Sequence, residues 1–315
     1  MDAIALKPNG PSIAPLGIGT WQWGDKLFWS YGKDYGVDQV REAFFAAIEA
    51  GVCFFDTAEV YGFGESERLL GQFMKETDQP VQVATKYFPL PWRLGAQAVE
   101  DTLTASLKRL QVDHIPLYQV HAPLDFLMGQ RTLMNALADE VEKGRIGAIG
   151  ISNYSAEQMR KAHKYLTARG IPLAVNQVRY SLLTRQIESN GIFETARELG
   201  ITILAYSPLA QGLLTGKYTS ESAPTPEGAR RIDPRFKEKG LEKIAPLINA
   251  LKAIGETHQR TPAQVALNWL MAQGNVIPIP GAKNANQARQ NAGALGWSLS
   301  PDEISQIDQL SRDWK

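Results

Sequence analysis

Short continuous apolar runs alternate with longer amphipathic segments from about residue 38 to the end of the chain. Continuous apolar runs predict strands buried on both faces, and apolar residues at every third or fourth position predict helices packed against those strands. Most intervals between strand ends are close to the roughly 30 residues of one strand–helix unit. An early run over 16–20 supplies the first strand, and the later runs end at about residues 56, 86, 121, 152, 178, 207 and 280.

The segments between these strands have helical spacing. Asp38 is the expected N-cap of the first helix, which ends before Gly51, and Ser155 is the expected cap of a later one. The remaining helices are expected from about Ser66 and over 97–109, 131–143, 190–199, 243–257 and 262–273.

Eight strand–helix units favour a closed barrel over an open doubly wound sheet, which would need fewer strands and usually a glycine-rich fingerprint. Gly17 and Gly19 are not followed by the third glycine of that fingerprint, so no separate dinucleotide-binding domain is expected. We therefore predict that residues 1–315 form one α/β domain, a single (β/α)8 TIM barrel. It should carry a short N-terminal β-hairpin and a long loop, about 209–242, between the seventh strand and the seventh helix.

Composition narrows the functional class. The 33 basic and 33 acidic residues give no net charge, so neither nucleic acid nor a membrane surface is an expected partner. The single cysteine, Cys53, rules out an intramolecular disulfide and a cysteine metal cluster. The N-terminal segment lacks the features of a signal peptide, and no run approaches the ~20 apolar residues of a membrane span. A cytoplasmic protein is expected.

Polar residues stand where three neighbouring strands end. Asp56, Lys86 and His121 each close an apolar run, and Tyr61 follows Asp56 by five residues. Taken singly, an aspartate here is more often a helix cap, and a tyrosine near a turn is usually packing. A lysine that ends a buried strand is more unusual, because a buried ammonium is costly unless it is paired. Because the carboxyl ends of barrel strands meet at one mouth, we expect the four side chains to converge there.

Such a group can transfer a proton. A free phenol has a pKa near ~10, about three units too high for acid–base work at neutral pH. The ammonium of Lys86 would lower the pKa of Tyr61, Asp56 would hold Lys86, and His121 would donate a hydrogen bond to a carbonyl oxygen. Since no side chain delivers hydride, the site implies a nicotinamide cofactor. No metal is expected.

The chain resembles the aldo-keto reductase family in motifs that run in order through its whole length. Its branch resembles pyridoxal reductases and potassium-channel β-subunits. The resemblance implies a (β/α)8 barrel, NADPH-dependent reduction of aldehydes and ketones, and a tetrad in which Tyr61 is the acid/base. The motifs are Gly19-Thr20-Trp21, Phe55-Asp56-Thr57-Ala58-x-x-Tyr61-Gly62, Thr85-Lys86, Val120-His121, Gly150-Ile151-Ser152-Asn153, Asn176-Gln177, Tyr206-Ser207-Pro208-Leu209-x-x-Gly212-Leu213-Leu214 and Ile279-Pro280-Gly281-Ala282-Lys283.

The resemblance also implies the contacts of NADPH/NADP. Ser152, Asn153 and Gln177 would hold the nicotinamide carboxamide, Tyr206 would stack on its ring, and backbone amides near Gly212 would contact the pyrophosphate. The expected cofactor-binding residues are Gly19, Thr20, Trp21, Asp56, Ser152, Asn153, Gln177, Tyr206, Ser207, Pro208, Leu209, Gln211, Gly212, Lys217, Ile279, Gly281, Ala282, Lys283, Gln287, Gln290 and Asn291.

The 2′-phosphate distinguishes NADPH from NADH. Lys283 is placed to meet it as a point charge. Gln287 stands where many relatives have an arginine, and Gln290 where a glutamate is common. We therefore expect NADPH to be preferred by a smaller margin than an arginine would give.

Aromatic residues follow two of the strands and predict an apolar slot for a bulky, mostly apolar or aromatic aldehyde, with a pyridoxal-like ring among the candidates. We expect about half of them to line that slot and the rest to be packing. The 209–242 loop, with Arg230, Arg231 and Arg235, has two interpretations: a clasp over bound cofactor or a solvated surface. The aromatic set is Trp21, Trp23, Phe28, Trp29, Tyr31, Tyr87, Phe88 and Trp92.

Two other functions compete with a carbonyl reductase. A slow-turnover NADPH-binding regulatory or sensor subunit would keep the same site, although an intact tetrad favours an enzyme. A metal-dependent barrel hydrolase is a weaker alternative, because only four histidines exist and three of them, His114, His163 and His258, fall outside the strand ends.

Overall fold

Eight parallel strands in chain order form the central sheet of the computed structural model, which describes residues 4–5, 12–124, 128–219, 230 and 233–315. Two further strands, β1 (Ile4–Ala5) and β2 (Ser12–Ile13), pair antiparallel as an N-terminal hairpin. The barrel strands are β3 (Ile18–Gly19), β4 (Phe54–Asp56), β5 (Gln82–Tyr87), β6 (Ile115–Val120), β7 (Ile146–Ser152), β8 (Leu173–Arg179), β9 (Thr202–Tyr206) and β10 (Val276–Pro278).

The first and last strands of this sheet meet and close it. The amide of Gly17 donates to the carbonyl of Pro278 at 3.0 Å, and the amide of Gly19 donates to that of Pro280 at 3.0 Å. A Cβ on Gly19 would lie 2.9 Å from the carbonyl oxygen of Ile279, so the close approach requires glycine. The predicted (β/α)8 barrel is confirmed.

Helices pack around the outside of the barrel with their apolar faces inward. No helix in the described ranges is long and apolar enough to cross a membrane. The helices are α1 (Val37–Glu49), α2 (Glu65–Met74), α3 (Ala96–Leu110), α4 (Gln130–Glu142), α5 (Ala156–Thr167), α6 (Ile192–Glu198), α7 (Glu238–His258), α8 (Pro262–Met271), α9 (Ala285–Ala292) and α10 (Pro301–Leu310).

Most helix predictions differ from the structure only at their ends. Ser155 is the N-cap of α5, and its hydroxyl accepts from the amide of Gln158. Asp38 is not the cap of α1: Gly36 is, and Asp38 lies in the first turn, where a negative charge is favourable. Helices α9 and α10 were not predicted from the sequence. The capping box that opens at Ser300 was the available signal for α10.

A second, smaller apolar cluster fills the inside of the barrel. It is built from inward-facing strand residues, and Ile13 of the hairpin packs with them. The interior is therefore a packed core rather than a channel, which restricts a ligand site to the mouth. The inward-facing residues include Phe54, Ala84, Leu117, Ala148, Ala174, Leu204 and Ile277.

The long predicted loop lies between β9 and α7. Among its described residues, Ala210–Thr215 and Pro234–Phe236 form short 3-10 segments. Arg230 and Arg235 are described, whereas Arg231 lies outside the described residues.

Candidate active site

The four predicted catalytic side chains meet at the carboxyl ends of three adjacent strands. Asp56 ends β4, Lys86 is near the end of β5, His121 directly follows β6, and Tyr61 opens a 3-10 turn after β4. The Lys86 ammonium donates to Oδ1 of Asp56 at 2.5 Å and to the phenol oxygen of Tyr61 at 3.3 Å. The predicted convergence is therefore present in the structure.

Asp56 and Lys86 form a buried ion pair, with side-chain exposures of 3% and 0%. The second carboxylate oxygen of Asp56 accepts from Nε2 of Gln119 at 3.0 Å and from Nε2 of Gln177 at 2.8 Å. These bonds satisfy both carboxylate oxygens, which a buried charge requires. Burial opposes the charge on Lys86, but the charge and hydrogen bonds of Asp56 and Tyr61 together exceed that effect, and the pKa of Lys86 is raised above its ordinary value.

Gln119 was not predicted as a site residue. It lies in β6 between two apolar residues and is fully buried. A buried amide needs hydrogen-bond partners, and Gln119 finds one in Asp56. The available signal was a glutamine inside an otherwise largely apolar strand.

Tyr61 holds its proton at neutral pH. Burial raises the pKa of its phenol, and the lowering effect of Lys86 does not overcome that of burial. The expectation of a net lowered pKa is therefore wrong for the protein without ligand, because desolvation of the phenolate is the larger effect. A protonated phenol beside a buried ammonium is suited to donate a proton rather than to remove one.

His121 is neutral. Burial, with the nearby charge of Lys86, lowers the pKa of its imidazole to about 3. Its ring packs edge-on against Tyr61, with centroids 5.7 Å apart. Its Nδ1 atom is buried and has no hydrogen-bond partner within the described part of the chain. A neutral imidazole has one N–H, so it can donate one hydrogen bond to an oxygen in the cavity.

A cavity of about 1440 Å³ opens above this group and extends across the barrel mouth. Asp56, Tyr61 and His121 line one part of it, whereas Lys86 is buried behind them. All but two of the expected cofactor-binding residues also line the cavity. The two exceptions are fully buried: Thr20 bonds the carbonyl of Asp56, and the carbonyl of Ala282 accepts from Trp23.

A chain of polar side chains lies beside the tetrad. The hydroxyl of Tyr206 donates to Oδ1 of Asn153 at 3.1 Å, and Nδ2 of Asn153 donates to Oγ of Ser152 at 3.1 Å. Nε2 of Gln177 donates to Asp56, and this hydrogen bond connects the side chain of Gln177 to the tetrad. These side chains supply the donors and acceptors that a carboxamide needs.

Left-handed backbone conformations are concentrated along the same part of the cavity. Asn153, Ser207 and Gln211 have φ values of 62°, 50° and 56°. Non-glycine residues rarely adopt this conformation, and such strain is typical of ligand sites.

The cationic side chains that line the cavity include Lys217, Arg230 and Lys283. Burial and the charge of Arg230 lower the pKa of Lys217. An anion between these cations would relieve the repulsion, as the phosphates of a dinucleotide would. The fit to NADP(H) is supported further by Oε1 of Gln22, a buried acceptor on the lining without a partner among the described residues.

The aromatic residues divide as the sequence suggested. Trp21, Phe28, Trp29, Tyr31 and Phe88 line the cavity. The rings of Trp23 and Tyr87 are buried in the core, and Trp92 is exposed away from it. Lining residues that the sequence analysis did not predict include Gln22, Val60, Phe63, Thr215 and Asn286.

Comparison with known proteins gives one consistent result. The sequence profile of the Aldo/keto reductase family matches residues 15–312. The chloroplastic pyridoxal reductase of Arabidopsis thaliana is 42% identical in an alignment 321 residues long, gaps included. The alignment covers 96% of this chain and 85% of that protein. The glycerol dehydrogenase of Gluconobacter oxydans has a similar structure, with a TM-score of 0.85, 28% identity and coverage of 98% and 94% of the two chains. An aldo-keto reductase of Klebsiella pneumoniae in complex with NADPH matches with a TM-score of 0.73, 27% identity and coverage of 95% and 92%.

Proposed function

This chain belongs to the aldo/keto reductase family and is an NADP-dependent oxidoreductase, and we propose that it reduces aromatic aldehydes to alcohols with Tyr61 as the proton donor. The observation that carries the proposal is the contact of the Tyr61 phenol with the ammonium of Lys86 at the edge of the cavity. The match to the family supports NADPH or NADP as its cofactor and a small carbonyl compound as its substrate.

Bound NADPH would supply the hydride. The residues of the chain would supply the proton and the orientation. His121 donates a hydrogen bond to the substrate carbonyl oxygen, and Tyr61 gives that oxygen its phenolic proton. The phenolate that remains on Tyr61 is stabilised by Lys86, whose charge Asp56 compensates.

The polar side chains beside the tetrad would hold the nicotinamide. Ser152, Asn153 and Gln177 would bind its carboxamide and so fix the ring face that meets the substrate. Tyr206 would stack on the ring. The backbone around Ser207, Leu209 and Gly212 would contact the pyrophosphate, and Lys283 would contact the 2′-phosphate.

The aromatic lining supports the substrate class. Trp21 packs against Tyr61 and Phe88 packs against His121, with ring centroids 6.2 Å and 5.3 Å apart, respectively. Aromatic side chains beside the proton donor favour a flat aromatic ring packed against them. The name of the Arabidopsis relative makes a pyridoxal-like aldehyde a first candidate.

A panel of aldehydes tests the proposal. NADPH oxidation is measured with benzaldehyde, substituted aromatic aldehydes, pyridoxal and short aliphatic aldehydes, for the wild type and Tyr61→Phe. We expect wild-type turnover that is highest with aromatic aldehydes and a variant that binds NADPH but does not turn over. Tight NADPH binding without wild-type turnover would contradict the proposal and favour a sensor subunit.

The proposed location is the cytoplasm, although the name of the Arabidopsis relative assigns that protein to the chloroplast. Fractionation of the source cells, followed by detection of the chain, checks the location.

A further inference from the structure

Phe88 is an aromatic residue of the cavity lining and lies in a segment that is not part of the barrel sheet. β5 ends at Tyr87, and Pro89 and Pro91 follow Phe88. Proline has no N–H, so the segment cannot continue the strand pairing. Its backbone position must therefore be fixed by something other than the sheet.

A partly buried ion pair fixes that backbone. Oε1 of Glu59 accepts from the amide of Phe88 at 2.7 Å, and Nη1 of Arg93 donates to the carbonyl of Phe88 at 2.7 Å. The two side chains also bond each other, with Arg93 Nη1 2.5 Å from Oε1 and Nη2 2.9 Å from Oε2 of Glu59. The amide and the carbonyl of Phe88 are thus both hydrogen-bonded to this bidentate ion pair, which we call the Glu59–Arg93 clamp.

The clamp joins the two segments that form the reaction end of the cavity. Glu59 lies two residues before Tyr61 in the loop after β4, and Arg93 lies in the segment after β5. Its side chains are 9% and 18% exposed, respectively, so solvent screens the pair less than a surface pair. Neither Glu59 nor Arg93 lines the cavity, so neither is in contact with a substrate.

Phe88 contacts the tetrad, so the clamp that fixes the backbone of Phe88 also restricts His121. Its ring packs edge-on against His121 at 5.3 Å between centroids, on the lining of the cavity. A displaced Phe88 would free the His121 ring to turn and would widen the slot beside it. Small errors in the placement of a reacting group are known to cost large factors in rate.

We infer that Glu59 and Arg93 are positioning residues that act through Phe88, holding its ring against His121 and so setting how an aromatic aldehyde lies relative to Tyr61. This inference rests on the proposed function. It predicts an effect that depends on the presence of the Phe88 ring, whereas an ion pair that only stabilises the fold would act independently of it.

A double-mutant cycle makes that distinction. The four proteins are the wild type, Glu59→Ala, Phe88→Ala and the double variant, assayed with NADPH and the best aromatic aldehyde of the panel. In the otherwise wild-type protein, we expect Glu59→Ala to lower kcat/KM about tenfold or more. In the Phe88→Ala variant, the same substitution should lower kcat/KM less than about twofold. Additive effects would overturn the inference.

Three controls accompany the cycle. Glu198→Ala removes an exposed bidentate pair with Arg160 on the outer helices and should leave kcat/KM unchanged. Glu59→Gln keeps an acceptor for the Phe88 amide and should recover part of the activity. The Kd for NADPH should change little in Glu59→Ala, because Phe88 is not among the expected cofactor contacts. A parallel loss of NADPH binding would mean that the variant is disordered, and this would also overturn a positioning role.

The outcomes separate the two proposals. Absence of wild-type turnover with every aldehyde would contradict the proposed function and this inference with it. Wild-type turnover with an additive cycle would contradict this inference alone.

Discussion

The phenol oxygen of Tyr61 lies 3.3 Å from the ammonium of Lys86, whose other two acceptors are Oδ1 of Asp56 and the carbonyl oxygen of Thr57. An ammonium has three N–H groups, so these three acceptors use all of them. Among the acceptors whose residues line the cavity, Asp56 is tied by three donors, whereas Tyr61 can exchange a proton with a ligand. The phenol of Tyr61 is therefore the group through which this buried network can exchange a proton with a ligand in the cavity.

The pH profile of reduction should reflect the state of Tyr61. Burial raises the pKa of the phenol above its ordinary value of 10.0, so the proton donor is intact at neutral pH and is lost only as pH rises through that raised pKa. We expect kcat for aldehyde reduction to show no fall assignable to Tyr61 below pH ~10. Steady-state kcat measured in overlapping buffers checks this. A decline of kcat centred near neutral pH in the wild type would contradict it.

Removal of Lys86 should destabilise the fold as well as abolish turnover. Lys86→Met leaves the buried carboxylate of Asp56 without its counter-ion, and we expect the free energy of unfolding to fall by about 3–5 kcal/mol. Urea unfolding measures it. Lys143→Met removes an exposed ammonium that pairs with Glu100 and Glu140, and the loss should be much smaller than in Lys86→Met because Arg145 still pairs with Glu140. The double variant Asp56→Asn/Lys86→Met should recover part of the loss; equal losses in Lys86→Met and Lys143→Met would refute the prediction.

His121 should make the ligand-free protein sensitive to acid. The folded protein holds the imidazole pKa at about 3, whereas the unfolded chain takes up the proton near 6.5. Stability from this group is therefore complete above pH 6.5 and is lost as pH falls toward 3, at up to ~1.4 kcal/mol per pH unit. Unfolding free energies at several pH values, compared between the wild type and His121→Asn, give the difference. The exposed His114→Asn is the control, and equal pH slopes for the wild type and His121→Asn would show the prediction to be wrong.

Lys283 should set the preference for the phosphorylated cofactor. Its side chain lines the cavity, where its charge would meet the 2′-phosphate of NADPH. We expect Lys283→Ala to lower the ratio of kcat/KM for NADPH over NADH by about tenfold, since hydrogen bonds to charged groups contribute about 1.5–3 kcal/mol. Lys33→Ala, an exposed lysine of the first loop that does not line the cavity, is the control. An unchanged ratio of kcat/KM for the two cofactors in Lys283→Ala would mean that another group binds the 2′-phosphate.

The chain itself determined the barrel and the position of its chemistry. Apolar runs and amphipathic segments follow from the solvent exposure of each face, which repeats locally, so the alternation was visible without any contact being known. Because parallel strands share a carboxyl end, residues at strand ends were bound to meet, and Asp56, Lys86 and His121 do. The family motifs added the cofactor and its expected contacts.

Only the tertiary structure decided the energetics of the site. The net pKa of Tyr61 depends on how much water the closed mouth excludes, and that burial outweighs the neighbouring ammonium. The hydrogen bonds of Asp56 with Gln119 and Gln177, and those of Glu59 with Phe88 and Arg93, join residues 29 to 121 positions apart in the chain. Desolvation and hydrogen-bond geometry are properties of packed three-dimensional neighbours, and a one-dimensional pattern does not specify them.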